Sequence, residues 1–364
     1  MPARDEITFA FQVAPVGDGP DHELYAQVID DCKLGQALGF ESAWLLEHHF
    51  SDYYPTPSPL VHMAHLAAHC PGLGLGTSVL VLPWYHPVRL AEEILMLNAM
   101  TDGTLHLGLG RGTAKSEYDG YGVDMNEARG RFAEIWRIVE LAMTGETFSF
   151  DGKYFKIPRE IRPRPMPPGK PVRFYGAIGS LPSAEIMADL GLPPLCLSGF
   201  PDHLLARILE TWKARTAERG GDPQATIPLS LKLFIADSDE AARQEARRWF
   251  PYYFDLQARH YEVDETPWDE IPDYQAFKRM FQNLKKLADP ANLDPYLDAN
   301  LIGSPETIAA RIEELAAIGF NYMMVSAAVP GVPQAIRHEQ YGRFAREVAP
   351  RFSRAFQAAG AAAD

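Results

Sequence analysis

The feature that most constrains this chain is an alternation of short apolar runs with longer amphipathic ones along most of its length. Eight runs read as strands, at residues 7–13, 42–46, 73–82, 104–109, 172–178, 194–197, 229–236 and 321–326. Helical spacing separates them. Leu24, Val28, Ile29, Leu34 and Leu38 form the first helical stripe, and Gly39 stands where a C-cap glycine belongs. Further helices are expected at 59–69, 87–100, 129–143, 182–190, 202–218, 238–260 and 333–348, with Pro87 at a helix start. Gly303-Ser304-Pro305-Glu306 carries the cap chemistry that opens another.

Eight strand-then-helix units fit one closed (β/α)8 barrel, the TIM barrel of the α/β class. An open doubly wound sheet is the competing architecture, but no GxGxxG follows the first strand. The expectation is one domain spanning 1–364. Residues 261–300 break the rhythm with Pro267, Pro272, Pro290 and Pro295 and one amphipathic piece at 274–287. They read as an insertion before the last strand, and as a mobile lid. Asp151-Gly152 predicts a hairpin between 148–150 and 154–157, and the proline-rich stretch 162–171 a rigid surface connection. The Ala-rich C-terminal tail reads as frayed.

A formal net charge of −14 sets the partners to expect. An acidic surface repels nucleic acid and anionic lipid, so a phosphate-bearing ligand needs a local positive site. Cys32, Cys70 and Cys196 form no CxxC pair, which argues against a disulfide framework or a zinc site and for a reducing cytoplasm. The segment MPARDEITF has no apolar signal core, and no apolar run is long enough to span a bilayer.

In a barrel, chemistry gathers where strand C-termini meet their loops. Three clusters meet that rule. Glu47-His48-His49-Phe50 ends the second strand, and histidine can move protons near neutral pH. A capping Glu beside two backbone-bonded histidines is the plainer reading. His62, His65 and His69 follow at helical spacing and suit a polar stripe better than a metal site. Gly108-Leu109-Gly110-Arg111-Gly112-Thr113 ends the fourth strand, where glycines allow close approach and Arg111 supplies permanent charge for a phosphate. An ordinary tight turn explains it equally. Gly176-Ala177-Ile178-Gly179-Ser180-Leu181-Pro182-Ser183 runs from the fifth strand into a helix and offers either an anion site or simple N-capping. The apolar strand with Thr77, Ser78 and Val79 is core, or a wall for an aromatic ring system.

These residues carry a resemblance. WLLEHHF at 44–50, VLPWYHPVRLAEEILMLNAMTDG at 81–103, LGRG at 109–112, YGVDM at 121–125, EIMADLGLP at 185–193 and IGSPETIAARI at 302–312 occur in the order of the bacterial luciferase-like flavin-dependent monooxygenases. The chain resembles that family, and its luciferase α-subunit branch most, over nearly its whole length. The resemblance implies a TIM barrel with an extra segment before the last strand. It implies reduced FMN (FMNH2) as cofactor, delivered by a separate NAD(P)H:flavin reductase. It also implies dioxygen as co-substrate, a C4a-peroxyflavin, and oxygenation of a small apolar or aldehyde-like organic substrate.

By position, His48 matches the family's catalytic histidine, with Glu47 expected to orient it. Arg111 matches the arginine on the FMN phosphate. Ser180 and Ser183 match the hydroxyl residues on the same phosphate, with Gly179 and Leu181 contributing backbone. Ser78–Val79 matches a non-proline cis peptide beneath the flavin ring. Gly110 stands where some luciferases have a flavin-proximal cysteine, Gly179 where a Glu is usual, and Ala114 where a tyrosine is. Light emission and long-chain aldehyde oxidation therefore do not follow. Phe11, Trp84, Phe200 and Phe254 are expected to shape an apolar pocket. Homodimerisation through 59–69 and 87–100 is expected, with no metal. Two other functions remain: a deazaflavin (F420)-dependent oxidoreductase, since that cofactor is used on the same barrel, and a non-catalytic flavin-binding partner subunit.

Overall fold

Strand β1 (Thr8–Gln12) shows how side-chain alternation builds the molecule. Phe9 and Phe11 face outward, onto Phe344 and Phe40. Ala10 faces inward, into a cluster with Trp44, Tyr175, Tyr322 and Met324. The structure is a computed structural model that describes residues 7–197 and 199–363, and part of the N-terminal segment read for a signal core, at 1–6, lies outside them.

After β1 come α1 (Asp21–Leu38), β2 (Ser42–Leu45), α2 (Pro59–His69), β3 (Gly74–Val81), α3 (Pro87–Met100) and β4 (Leu105–Gly110). Then follow α4 (Lys115–Tyr121), α5 (Ala128–Met143), the hairpin strands β5 (Phe148–Asp151) and β6 (Lys156–Ile161), β7 (Val172–Ala177), α6 (Leu181–Asp189), β8 (Pro194–Leu197) and α7 (Asp202–Glu218). The last third holds β9 (Pro228–Ile235), α8 (Asp239–His260), α9 (Gln275–Lys286), α10 (Asp294–Asp298), β10 (Leu301–Gly303), α11 (Pro305–Ile318), β11 (Tyr322–Ser326), α12 (Gln334–Arg343) and α13 (Arg354–Ala363).

Eight parallel strands close in the order β1-β2-β3-β4-β7-β8-β9-β11, with β11 pairing back onto β1. This is the expected TIM barrel. The large apolar core lies between the barrel and its helices. There α1 comes close because Gly35 has no side chain: a Cβ at that position would stand 2.1 Å from the Phe11 ring. Gly39 ends the same helix in the left-handed region at φ 97°, as a C-cap glycine should.

The barrel floor is polar. His106 meets Glu41 Oε1 at 3.0 Å, and Tyr322 donates to Glu41 Oε2 at 2.5 Å. Burial opposes the Glu41 charge, but the hydrogen bonds from His106, Tyr322 and Ser42 outweigh it and hold the carboxyl at about 2.

Five local features differ from the sequence reading. Helix α4 was unforeseen, and so was β10, a three-residue strand on the far end of β9. The second hairpin strand runs later and longer than 154–157. The helix expected over 333–348 turns into a π-helix at Phe344–Val348. The tail is the helix α13, anchored by Phe356 buried against Phe9 and Phe40. Residues between α8 and β10 form α9, α10 and short 3-10 turns, one of them at Pro272–Tyr274. Among the described residues no helix is long and apolar enough to cross a membrane.

Candidate active site

The chain leaves β2 in an extended run, so alternate side chains point the same way. Glu47 and His49 therefore share one side and His48 takes the other. Glu47 Oε2 accepts the Val81 N–H at 2.9 Å, and Oε1 accepts the Trp84 indole N–H at 2.9 Å. His49 Nε2 stands 3.2 Å from the same Oε1, and His49 Nδ1 meets Tyr121 Oη at 3.0 Å. Burial pushes the Glu47 carboxyl up, against the pull of these donors. Glu47 thus orients His49 and ties β2 to the loop after β3; it does not orient His48, as the sequence reading expected. Both ring nitrogens of His49 are engaged, which makes that residue a brace.

His48 faces an aromatic wall of Tyr53 at 4.8 Å and Tyr54 at 6.4 Å between ring centres, with the His260 ring at 4.6 Å. Its Nδ1 has no hydrogen-bond partner. That nitrogen stands 3.5 Å from Glu117 Oε1, and His260 Nε2, also unpartnered, stands 3.5 Å from the same oxygen. Glu117 is itself fixed by the His49 backbone N–H at 2.8 Å, and His260 Nδ1 by Ser51 Oγ at 2.7 Å. Burial first, and then neighbouring histidine charge, brings both His48 and His260 down to about 3. His48 is therefore neutral at pH 7, with one ring nitrogen able to donate and the other to accept a hydrogen bond. Among the described residues His48, Glu117 and His260 are also the one cluster that could hold a metal ion, with ligand atoms within 4.8 Å of one another.

The two imidazoles give a pH signature. Their folded values lie below the unfolded value of about 6.5, so the unfolded chain takes up protons that the folded protein declines. The stability they contribute is complete above pH ~6.5 and drains away as pH falls toward ~3. Thermal melts should show that decline, and His260→Gln should flatten it by up to about 1.4 kcal/mol per pH unit. An unchanged slope in the variant contradicts the assignment.

A second group forms around Arg111, just beyond β4. The pairing of Leu109 with Gly176 brings the ends of β4 and β7 side by side. Arg111 Nη1 is buried without a hydrogen bond and lies 4.0 Å from Asp273 Oδ2. Arg129, at the start of α5, reaches the same oxygen at 2.9 Å. Tyr274 lies under the Arg111 guanidinium at 4.9 Å. Two guanidinium groups thus share one anion, supplied here by the segment before β10.

Ser180 caps α6, accepting the Ser183 N–H at 3.3 Å, with the two hydroxyls 2.8 Å apart. Leu181 begins that helix, and Gly179 precedes the cap. The Ser78–Val79 peptide is cis, and Ser78 Oγ is buried and unpaired. A Cβ on Gly110 would fall 2.3 Å from Val79 Cγ2, so Val79 occupies the space that a cysteine there would need.

The aromatic pocket expectation holds only in part. Phe11 packs outward on Phe40 and Tyr341, and Phe254 packs with Phe250 and Tyr296. Trp84 is at the rim, stacked on Tyr121 at 5.3 Å. Phe200 comes within 3.5 Å of where a Gly179 Cβ would be. Glu117, Tyr121, Arg129, Lys232 and His260 went unnoticed in the sequence. Lys232 had a signal: it is the one charge in the otherwise apolar or neutral run PLSLKLFI of β9.

The luciferase-like monooxygenase family model matches residues 7–322. The alkanal monooxygenase alpha chain of Photorhabdus luminescens is 31% identical over 266 residues, covering 68% of this chain and 73% of that one. Among solved structures, the FMN complex of the oxygenating constituent of 3,6-diketocamphane monooxygenase from Pseudomonas putida aligns with a TM-score of 0.74 at 20% identity, over 95% of this chain and 98% of that one. An F420-dependent secondary alcohol dehydrogenase aligns with a TM-score of 0.72 at 15% identity, over 93% and 99%.

Proposed function

The chain belongs to the luciferase-like monooxygenase family, and from that premise we propose that it uses reduced FMN and dioxygen to oxygenate a small apolar or aldehyde-like organic substrate. The observation that carries the reading is a neutral, unpartnered His48 imidazole on the same rim as two arginines that share an anion. Asp273 stands in for the FMN phosphate. Arg111 and Arg129 would hold that phosphate with the Ser180 and Ser183 hydroxyls and the first amides of α6. Ser78 and Val79, with Val79 packed closely over Gly110, would lie against the ring system, and the orphaned Ser78 hydroxyl fits a polar ring edge.

Bound reduced FMN supplies the electrons that activate dioxygen for insertion of one oxygen atom into the substrate. His48 holds or moves a proton at Nδ1. Glu117 and His260 border that nitrogen, while Glu47 and His49 brace the loop that carries it. A separate NAD(P)H:flavin reductase would deliver the cofactor. Equilibrium titration of the whole protein with FMN and with deazaflavin F420 tests the cofactor. Tighter FMN binding is expected, and a preference for the deazaflavin would move the assignment to hydride transfer.

A homodimer would use α2 and α3, where Val61, Met96 and Met100 are exposed. Light scattering should report a dimer for the native chain and a monomer for Val61→Glu/Met96→Glu. A native monomer rejects this face.

A further inference from the structure

Strand β9 alternates strictly. Leu229, Leu231, Leu233 and Ile235 join the core between barrel and helices. Ser230 and Lys232 take the opposite, inward face. The register confirms it: Ser230 pairs with Met324, a member of the barrel-interior cluster, and Lys232 pairs with Ser326 one layer nearer the catalytic end. A lysine thus projects into the barrel lumen, one layer beyond an interior cluster of aromatic and apolar side chains.

Lys232 is 7% exposed. Its Nζ donates to Tyr54 Oη at 3.2 Å and stands 5.5 and 5.1 Å from the ring centres of Tyr54 and Tyr253. Tyr54 Oη donates a hydrogen bond to the Ala328 carbonyl at 2.9 Å, so toward the lysine it is the acceptor. No carboxylate among the described residues pairs with Lys232, and burial alone brings its ammonium down to about 7. Beside it, Ser326 is 1% exposed and its hydroxyl has no partner. The site is one ring away from the chemistry, because the Tyr54 ring stacks at 6.4 Å on His48.

A lone buried ammonium is costly, and a Met or Leu would fill the same volume without that cost. The aromatic rings recover only part of that cost. The missing element is an anion. The chain's net charge of −14 repels anions in general, so one would be held only where a cation is fixed.

We propose that Lys232 and Ser326 bind a carboxylate carried by the organic substrate, which makes that substrate an apolar carboxylic acid held with its reacting carbon toward His48. This rests on the assignment of the barrel's catalytic end to an organic substrate. The carboxylate lies between the ammonium and the Ser326 hydroxyl, its hydrocarbon along Tyr54 and Tyr253. Lys232 is a specificity-determining residue for that substrate.

Matched ligand pairs test it on the full chain: octanoate against octan-1-ol, and benzoate against benzyl alcohol, by calorimetry. In the native protein at least one acid should bind about tenfold or more tighter than its alcohol. Lys232→Met should bring that ratio to within about twofold, and Ser326→Ala should lower it about threefold. Melting temperatures and FMN affinity measured on the same samples show whether the variants are folded. Equal binding of acid and alcohol in both native pairs, or a ratio that survives in folded Lys232→Met, overturns the proposal. A carboxylate preference without FMN binding would instead count against the flavin assignment and leave the lysine site standing.

Discussion

Replacing His48 by alanine is expected to lower oxygen-dependent turnover by about 10²–10⁴-fold while FMN affinity stays within about twofold, the range for removing a positioned acid–base group. The reason is geometric. His48 is the one residue of the Glu47-His48-His49 run with a free ring nitrogen, since Glu47 is spent on Val81, Trp84 and His49, and His49 is bonded at both nitrogens. His49→Ala should behave differently. It removes a brace from a buried carboxylate, so loss of stability should accompany any loss of rate. Steady-state kinetics with a reductase supplying the flavin, paired with thermal melts, separate the two. Turnover unchanged in His48→Ala would favour a non-catalytic flavin-binding subunit.

Arg111→Met should weaken FMN binding on the order of 10²-fold, and Arg129→Met by a smaller factor, as expected for losing charge-assisted contacts to a phosphate. Arg111 already sits buried with an unsatisfied Nη1, over Tyr274 and near Asp273, so its charge is positioned before any ligand arrives. Riboflavin, which lacks the phosphate, gives the control: its affinity should be nearly equal in native protein and variant. Fluorescence titration of both ligands measures this, and an equal loss for riboflavin would place Arg111 against the ring instead.

The barrel was legible because its eight strands are short apolar runs between long amphipathic ones, and that pattern leaves few architectures. Helix α4 was missed because seven residues of KSEYDGY carry too little periodicity to stand out. The loss mattered, since α4 brings Glu117 to His48 and Tyr121 to His49. His260 lay beyond sequence reasoning for a different reason: its place opposite His48 depends on where α8 ends over the barrel mouth. The partner of Glu47 could have been read. Residues two apart in an extended run share a side, and adjacency to His48 was the weaker guide. Lys232 was equally readable, as a charge on the inward alternation of β9, but only once the direction of that face was known.

On the proposed reading, this rim binds reduced FMN and controls its reaction with oxygen through His48. Rapid mixing of the anaerobic protein–FMNH2 complex with oxygenated buffer tests it most directly, with flavin absorbance as the readout. Reoxidation is expected in separate phases, an early one that quickens with oxygen concentration and a later one that does not, with the later phase altered in His48→Ala. Reoxidation that follows the time course of free FMNH2, with no difference between native protein and His48→Ala, would contradict it.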